Sequence, residues 1–440
     1  MKRMVLMMLL VTILWGGTDH YILCEGNFMT PNASLWRLSE GSAAIEGPLH
    51  WSYPQNPLGD TGQSLTIHED KLYIIVNNSH TIEVMQLSPG TSIYERSISL
   101  AGKGPRFMTI ENNLAYITCW LVPGIVILDL NTDSILESIT LDGKPEGIKL
   151  IDGRLYVSIV EKASSWDKDN RLLVFENDGE SWVLSQTVTT QPGPSELFLQ
   201  TLSDGEKALW FINTWFDESW NTNAGVNRFE ITANGGEYSS VNLGIVTQLP
   251  PDIVFCEDKA LISYNGNFHY YDAQLQANLI SGISKYSSIV YSMARVGHQL
   301  LVGYTDDYQA PDSLAVWNLD SFENEAQFAV GAIPGSIASY SYPTNVSKLL
   351  RPAKFQLISN YPNPFNSSTM IMWNGIAGEE YKLRMVNLLG QELSSTKVYA
   401  TYDGVHRHLF QMNENSVSGL YMVQLISGKQ QDSMPVIFLK

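Results

Sequence analysis

The sequence predicts an all-β chain: a seven-bladed β-propeller followed by a small β-sandwich. Three observations carry that expectation. A unit of short apolar or alternating segments separated by turns recurs through the first 350 residues, and no segment shows a clear helical period. Near Arg351-Pro352 the pattern then changes to a second series of short strands with Pro and Gly turns.

The chain opens Met1-Lys2-Arg3 and runs apolar from Met4 to Trp15. A positive start before about 12 apolar residues has the form of a secretory signal peptide, whereas a bilayer-spanning helix needs about 20. Residues 1–24 are read as that signal, although cleavage near Gly17 and cleavage just after Cys24 both leave an acceptable mature start. Leu23-Cys24 has the look of a lipoprotein box, but Leu is bulky where that signal wants a small residue, so lipidation is not expected. No second long apolar run follows, and no transmembrane span is expected in the mature chain.

Forty-five acidic residues against 27 basic ones give a formal net charge of −18. That surface repels phosphate backbones, which excludes nucleic acid as a partner and disfavours anionic lipid. Of three cysteines, Cys24 is expected to leave with the signal. Cys119 and Cys256 have no metal-ligand spacing and read as buried small hydrophobes. Without a disulfide framework, an exported chain depends on a large core, and 44% hydrophobic residues can supply one.

The repeat begins each time with Gly or Pro and a short strand, passes a turn, and then gives a strongly apolar strand. Gly62-Gln63-Ser64 leads to Lys71–Val76, Gly104-Pro105-Arg106 to Leu114–Thr118, and Pro145-Glu146-Gly147 to Arg154–Ser158. Gly193-Pro194-Ser195-Glu196 leads to Ala208–Ile212, Pro251-Asp252-Ile253 to Ala260–Tyr264, and Ser287-Ser288-Ile289 to Leu300–Tyr304. A seventh opening, Ile333-Pro334-Gly335-Ser336, lacks most of its continuation. The mean spacing from Gly62 to Gly335 is about 45 residues, the size of one four-stranded propeller blade. Ala33–Leu38 resembles a third strand and Ala44 to Trp51 a fourth. The N-terminus is therefore expected to supply the outer strands of the last blade, giving a propeller over residues 25–350.

Several segments resemble one known group. Gly26-Asn27-Phe28-Met29, Pro57-Leu58-Gly59-Asp60, Val76-Asn77-Asn78-Ser79 and Val126–Asn131, with the Gly-Pro and Lys-Pro-Glu-Gly openings, resemble the YncE-like, surface-layer-type propellers over residues 26–343. That likeness speaks to fold, not to ligand.

The C-terminal module, residues 351–440, holds Tyr361-Pro362-Asn363-Pro364-Phe365-Asn366 and a Leu388-Leu389-Gly390 turn. It also holds Gly419-Leu420-Tyr421 and the basic terminal residue Lys440. In order and identity these pieces resemble the type A C-terminal sorting domain of the type 9 (Por) secretion system, over residues 355–440. The resemblance implies an immunoglobulin-like sandwich recognised at the outer membrane and removed by a sortase-like peptidase. It also implies delivery through the periplasm to the cell surface or the medium. Ile371-Met372-Trp373 is heavier than the usual strand at that place. His406 and His408 alternate along one strand and read as a surface feature.

In a propeller, the loop before the innermost strand and the loop between the second and third strands open on one face. That face collects Arg106, Glu146, Glu196 and Asp252 around the channel mouth. It also collects Trp120, Trp166, Trp215, Asp217, Trp220, Asp306 and Asp307 on the longer loops. Exposed aromatic rings and carboxylates suit a glycan, a peptide or a cation as ligand. No catalytic grouping, metal-ligand set, phosphate loop or dinucleotide fingerprint occurs, and no cofactor is expected. The leading reading is a non-enzymatic binding or scaffold module. The alternative is a lyase or hydrolase using Glu146, Glu196 or His80 at the channel mouth.

Overall fold

The structure, a computed structural model, describes residues 16–49, 58–233, 235–248, 252–280, 288–343, 356–376, 378–387, 389–400, 404–412, 416–428 and 430–440. The apolar run Met4 to Trp15, Trp51 and the boundary expected at Arg351 lie outside them. Every described element is a β-strand, in two compact units, one within Thr18–Tyr340 and one holding the segment from Ser341.

Six four-stranded antiparallel sheets follow in chain order, over 62–99, 105–140, 143–189, 198–245, 253–279 and 289–329. These are blades 1 to 6. Several of their inner turns have the backbone that short hairpins require. Asn112-Asn113, Asp152-Gly153 and Asn265-Gly266 all take positive φ at both central positions, the conformation Asn, Asp and Gly tolerate best.

The near-continuous apolar run of each second strand follows from its place between two neighbours. Successive side chains point to opposite faces, so each such strand feeds two cores. Tyr73 and Ile75 join Ile117 and Cys119 between blades 1 and 2. Tyr116 faces the other way, towards Leu155, Val157 and Ile159. Leu209 and Phe211 pack towards blade 3, while Ala208, Trp210 and Ile212 pack towards blade 5.

Blade 7 is assembled from both ends of the unit. Pro334–Pro343 is its inner strand, Gly16–Cys24 lies beside it, and Ser34–Ser39 comes third. Beyond these, Arg37 bridges Glu46 and the Leu49 N–H donates to the Leu35 carbonyl at 2.7 Å, in place of the full fourth strand expected to Trp51. Two N-terminal strands, Gly16–Cys24 and Ser34–Ser39, thus join Pro334–Pro343 in one sheet. Residues 16–24, read from the sequence as the end of the leader, form the middle strand of that sheet. Tyr21, Ile22, Leu23 and Cys24 are all 0% exposed, and Cys24 shares a core with Leu301 and Leu314 of blade 6. A chain cut after Cys24 would lose the middle of blade 7. Cys24 therefore belongs to the core, where burial pushes its thiol up to about 12.

Buried hydroxyls stitch neighbouring blades beside the channel. Ser64 donates to the Arg106 carbonyl (2.8 Å), Thr118 to that of Glu146 (2.7 Å), and Ser158 to that of Ser195 (2.6 Å). Ser292 donates to the Pro334 carbonyl (2.6 Å), and the Leu65 N–H donates to Ser336 Oγ (3.2 Å) across the closure. The accepting carbonyls lie at the first strands of the next blades, so these bonds fix the residues that face the channel.

The smaller unit has a three-stranded sheet, Gln356–Tyr361, Ser368–Gly375 and Gly404–Gln411, and a four-stranded one, Glu392–Tyr399, Glu380–Val386, Gly419–Ser427 and Gln430–Phe438. Their seven strands enclose one core around Ile371, Trp373, Tyr381, Leu383, Val423 and Leu425. Trp373 is 1% exposed, with the Tyr381 and His406 rings each 4.8 Å away. The heavy Ile371-Met372-Trp373 strand is thus core, and His406 is buried against it rather than being a surface feature.

A chain beginning at Glu25 is expected to lose cooperative thermal unfolding, while one beginning at Gly16 keeps it. Each buried side chain of the missing strand contributes about 1.5–3 kcal/mol, against a typical total of about 5–15 kcal/mol. Circular dichroism melts compare the two, and identical curves would show that the ring closes without Gly16–Cys24.

Candidate functional site

Pro105 lies opposite Cys119 and Gly143 opposite Lys162, so each first strand starts on the face where the second strand ends. The openings of the seven blades consequently converge on one channel mouth. In blade order they offer Gln63, Arg106, Glu146, Glu196, Asp252 and Tyr291. Blade 7 offers a bare Gly335, where a Cβ would lie 2.6 Å from Glu25 Oε1. Glu25, at the end of the inserted N-terminal strand, takes the seventh place. All of these except Arg106 line a cavity of about 320 Å³, together with Phe107, Phe198 and Tyr308.

One arc of this ring is internally satisfied. Arg106 grips Glu146 through two bonds, Nη2–Oε1 at 2.6 Å and Nε–Oε2 at 3.0 Å, and its Nη1 donates to Gln63. Its guanidinium lies 4.2 Å over the Trp120 ring, whose Nε1 donates to the Pro145 carbonyl at 2.8 Å. Lys144 continues outward, 5.5 Å from the Trp120 ring and 3.8 Å from the Trp166 ring. Glu161 holds both Lys144 (3.0 Å) and Lys168 (2.9 Å). Cations and indoles therefore alternate from the channel to the surface.

The opposite arc is not satisfied in this way. Burial pushes the Glu196 carboxyl up to about 7; Glu146 adds to the shift and Lys149 opposes it. Asp252 lies well above the usual carboxylate range through burial and the nearby Glu196, although it accepts the Met293 N–H at 2.7 Å. Glu196 makes no hydrogen bond among the described residues. On the blade 7 side, burial also pushes Glu25 up to about 7, against a hydrogen bond from Tyr291 and the charge of Arg106.

Of the residues expected at this face, Arg106, Glu146 and Glu196 come together in the channel. Trp120 and Trp166 stack on cations, Trp166 with 77% of its surface still exposed. Trp215, Asp217, Trp220, Asp306 and Asp307 lie outside the cavity lining. Asp217 ties its own turn, accepting the Ser219 and Asn221 N–H groups at 2.9 Å, and Asp307 likewise accepts from Gln309 and Ala310 at 2.8 Å. Asp306 is exposed, and Trp220 is exposed beside Phe216, ring centroids 6.0 Å apart. His80 Nδ1 accepts the Gly104 N–H at 3.2 Å. The sequence reading missed Glu25, Gln63 and Tyr291 as channel residues. Gln63 and Tyr291 sit just inside the repeat's own openings, a signal that was available; Glu25, the first residue after the expected leader, belongs to none of those openings.

In the smaller unit, the proline segment is pinned to the last strand. Asn363 Oδ1 accepts the Ile437 N–H (2.8 Å), the Phe365 N–H donates to the Ile437 carbonyl (3.0 Å), and the Leu439 N–H donates to that of Phe365 (2.7 Å). Thr369 Oγ1 donates to the Pro362 carbonyl at 2.8 Å, Tyr361 closes its strand, and Pro364 and Asn366 are exposed. Asn387 Oδ1 accepts the Leu389 and Gln391 N–H groups around Gly390, whose φ is +79°. Gly419 opens a strand in which Tyr421 donates to the Val417 carbonyl, and the Lys440 N–H donates to Ser418. Residues 359–438 match the secretion system C-terminal sorting domain. The type 9 (Por) system thus handles this chain, which is secreted or attached to the cell surface.

Solved structures share the propeller fold. A hypothetical selenium-binding protein from Sulfolobus tokodaii aligns at TM-score 0.55 and 11% identity, over 74% of this chain and 93% of its own. The periplasmic gluconolactonase of Pseudomonas aeruginosa aligns at 0.54 and 13%, over 73% and 99%. A putative 6-phosphogluconolactonase from Bacteroides uniformis aligns at 0.53 and 11%, over 74% and 99%. No curated protein matches the chain.

Two outcomes follow from the ring's electrostatics. Glu196 keeps its proton to about pH 7 when folded but loses it near 4.5 when unfolded. Between those values the folded state binds more protons, so this group's contribution falls as pH rises from about 5 through 7. The melting temperature of the wild type should accordingly drop relative to E196Q between pH 5 and 8 in scanning calorimetry; parallel profiles would contradict the assignment. Arg106→Ala leaves Glu146 enclosed without its cation and should cost about 3–5 kcal/mol in urea unfolding. Replacing both residues by Met should recover most of that loss.

Proposed function

We propose that the chain is an exported binding module, a YncE-like, surface-layer-type propeller that holds its ligand at the channel mouth. A leader ending before Gly16 takes it across the inner membrane. The type 9 machinery reads the tail, and a sortase-like peptidase removes it. The observation that carries the binding reading is the uneven ring: one arc closed by Arg106, the other holding Glu196, which has no hydrogen bond among the described residues, in front of a cavity. A part-buried carboxyl without a fixed cation is stabilised by a ligand that brings one.

The lyase or hydrolase alternative has less support. Glu146 is clamped by Arg106 and the His80 Nδ1 is already used, which leaves Glu196 and Asp252 as the uncommitted bases. The gluconolactonase-named neighbours contribute only a shared fold at these identities.

A thermal-shift screen of metabolites, glycans and peptides against the full chain, run beside a turnover assay, tests the reading. Hits lost on Glu196→Gln with no product formed are expected; turnover abolished by the same change would overturn it. For export, deleting Phe355 to Lys440 in a host with the type 9 system should leave a folded propeller in the periplasm. The same segment fused to an unrelated periplasmic protein should send that protein to the surface or medium. Cell fractionation reads both, and surface delivery of the tail-less chain at normal yield would contradict the role given to the tail.

A further inference from the structure

Resting on the channel-mouth reading, we infer that the arc between blades 4 and 5 binds the ammonium head of a small aliphatic primary amine, with Glu196 and Asp252 as its counter-ions. The ring's charges are matched unevenly. Arg106 is spent on Glu146 and Gln63, and Glu25 has the Tyr291 hydroxyl and the field of Arg106. Glu196 and Asp252 line the same cavity and act on each other electrostatically, with no such cation paired to them among the described residues. Lys149 acts on Glu196 through its charge, and among the described residues the one fixed donor to the pair is the Met293 N–H on Asp252.

The cavity in front of the pair decides what kind of cation fits. Calcium takes six to eight oxygens and magnesium demands a near-ideal octahedron, whereas among the described residues no group of three or more metal-competent side chains converges. An ammonium has three donors and is content with a few acceptors. Its alkyl stem also needs apolar walls, and the cavity supplies Phe107, Phe198, Tyr291 and Tyr308. The last two meet edge to face at 5.9 Å, which fixes their orientation. A volume of about 320 Å³ suits a molecule of modest size.

Binding is coupled to proton release. In the free protein burial keeps Glu196 protonated to about pH 7, so the incoming ammonium must expel that proton to solvent to meet a carboxylate. Burial and the charge of Glu146 favour retaining it, and Lys149 favours its release. Asp252, also held well above the usual carboxylate range, must ionise as well to serve as a counter-ion, so more than one proton leaves per ammonium bound and affinity should fall at least tenfold per pH unit below 7.

Isothermal titration of the full chain with n-butylammonium chloride, at pH 6 to 8 and in two buffers of unlike ionisation heat, tests this. A lysine-containing acetylated and amidated tripeptide serves as a second probe, and calcium chloride as a third. One saturable site with more than one proton released at pH 6.5 is expected, weakened at least tenfold by E196Q and by D252N while both variants still melt cooperatively. Binding of butylammonium would identify a free amine; binding of the peptide alone would identify a lysine side chain, and either upholds the ammonium site. Absence of heat with both ammonium probes, or calcium binding lost on D252N, overturns it. If a screened ligand of another class still depends on Glu196, the channel-mouth reading survives that failure; if no ligand does, both fall.

Discussion

The insertion of Gly16–Cys24 between Pro334–Pro343 and Ser34–Ser39 is the interaction on which the larger unit depends. A propeller blade has no independent core, because each of its faces is covered by the next blade. The apolar clusters between blades confirm this: each draws residues from two sheets, and alternate residues of one strand serve different clusters. Only a closed ring covers all of them. The same closure brings Glu25 into the channel, since that residue immediately follows the inserted strand. Fold and site thus share a single constraint.

That constraint explains what the sequence revealed and what it hid. The seven openings, the period and the turns were legible because hairpin chemistry and burial on two faces both act locally. Asn265-Gly266 announces its turn in two residues, and Lys71–Val76 announces its burial in six. Arg106, Glu146, Glu196 and Asp252 were legible as channel residues for the same reason, by their fixed place after each opening. The strand Gly16–Cys24 was not legible. Tyr21 to Cys24 read as the end of an apolar leader, and one of their two partner strands lies more than 300 residues away in sequence. Glu25 was lost with it. The long-loop residues were misleading in a different way: Asp217 and Asp307 look like free carboxylates, but backbone N–H groups of their own turns consume them. A turn-forming Asp and a ligand-binding Asp carry the same letter.

The channel mouth combines two electrostatic regimes in one ring. Where Arg106 reaches two neighbours and an indole, every charge has a partner and the geometry is held from several directions. Two blades further round, carboxyls of the same type act on each other electrostatically, and protonation takes the place of pairing. Low polarity strengthens both effects, rewarding the matched pair and penalising the unmatched one. The hydroxyl bridges between blades keep these groups from relaxing away from each other. The ring is therefore stiff where it is paired, and it stays open where it is not.

The far-apart ends of blade 7 also govern how fast the molecule can form. Blades 1 to 6 each pair strands that are neighbours in the chain, and such local contacts form early. Gly16–Cys24 has to wait for Pro334–Pro343, a loop closure across nearly the whole unit, and closures of that span are intrinsically slow. Until then an apolar strand stands with one edge unpaired, the kind of surface that invites aggregation and holding by chaperones. Any chain broken off before residue 334 never escapes that state. Incomplete products keep that strand edge open, before any question of delivery arises.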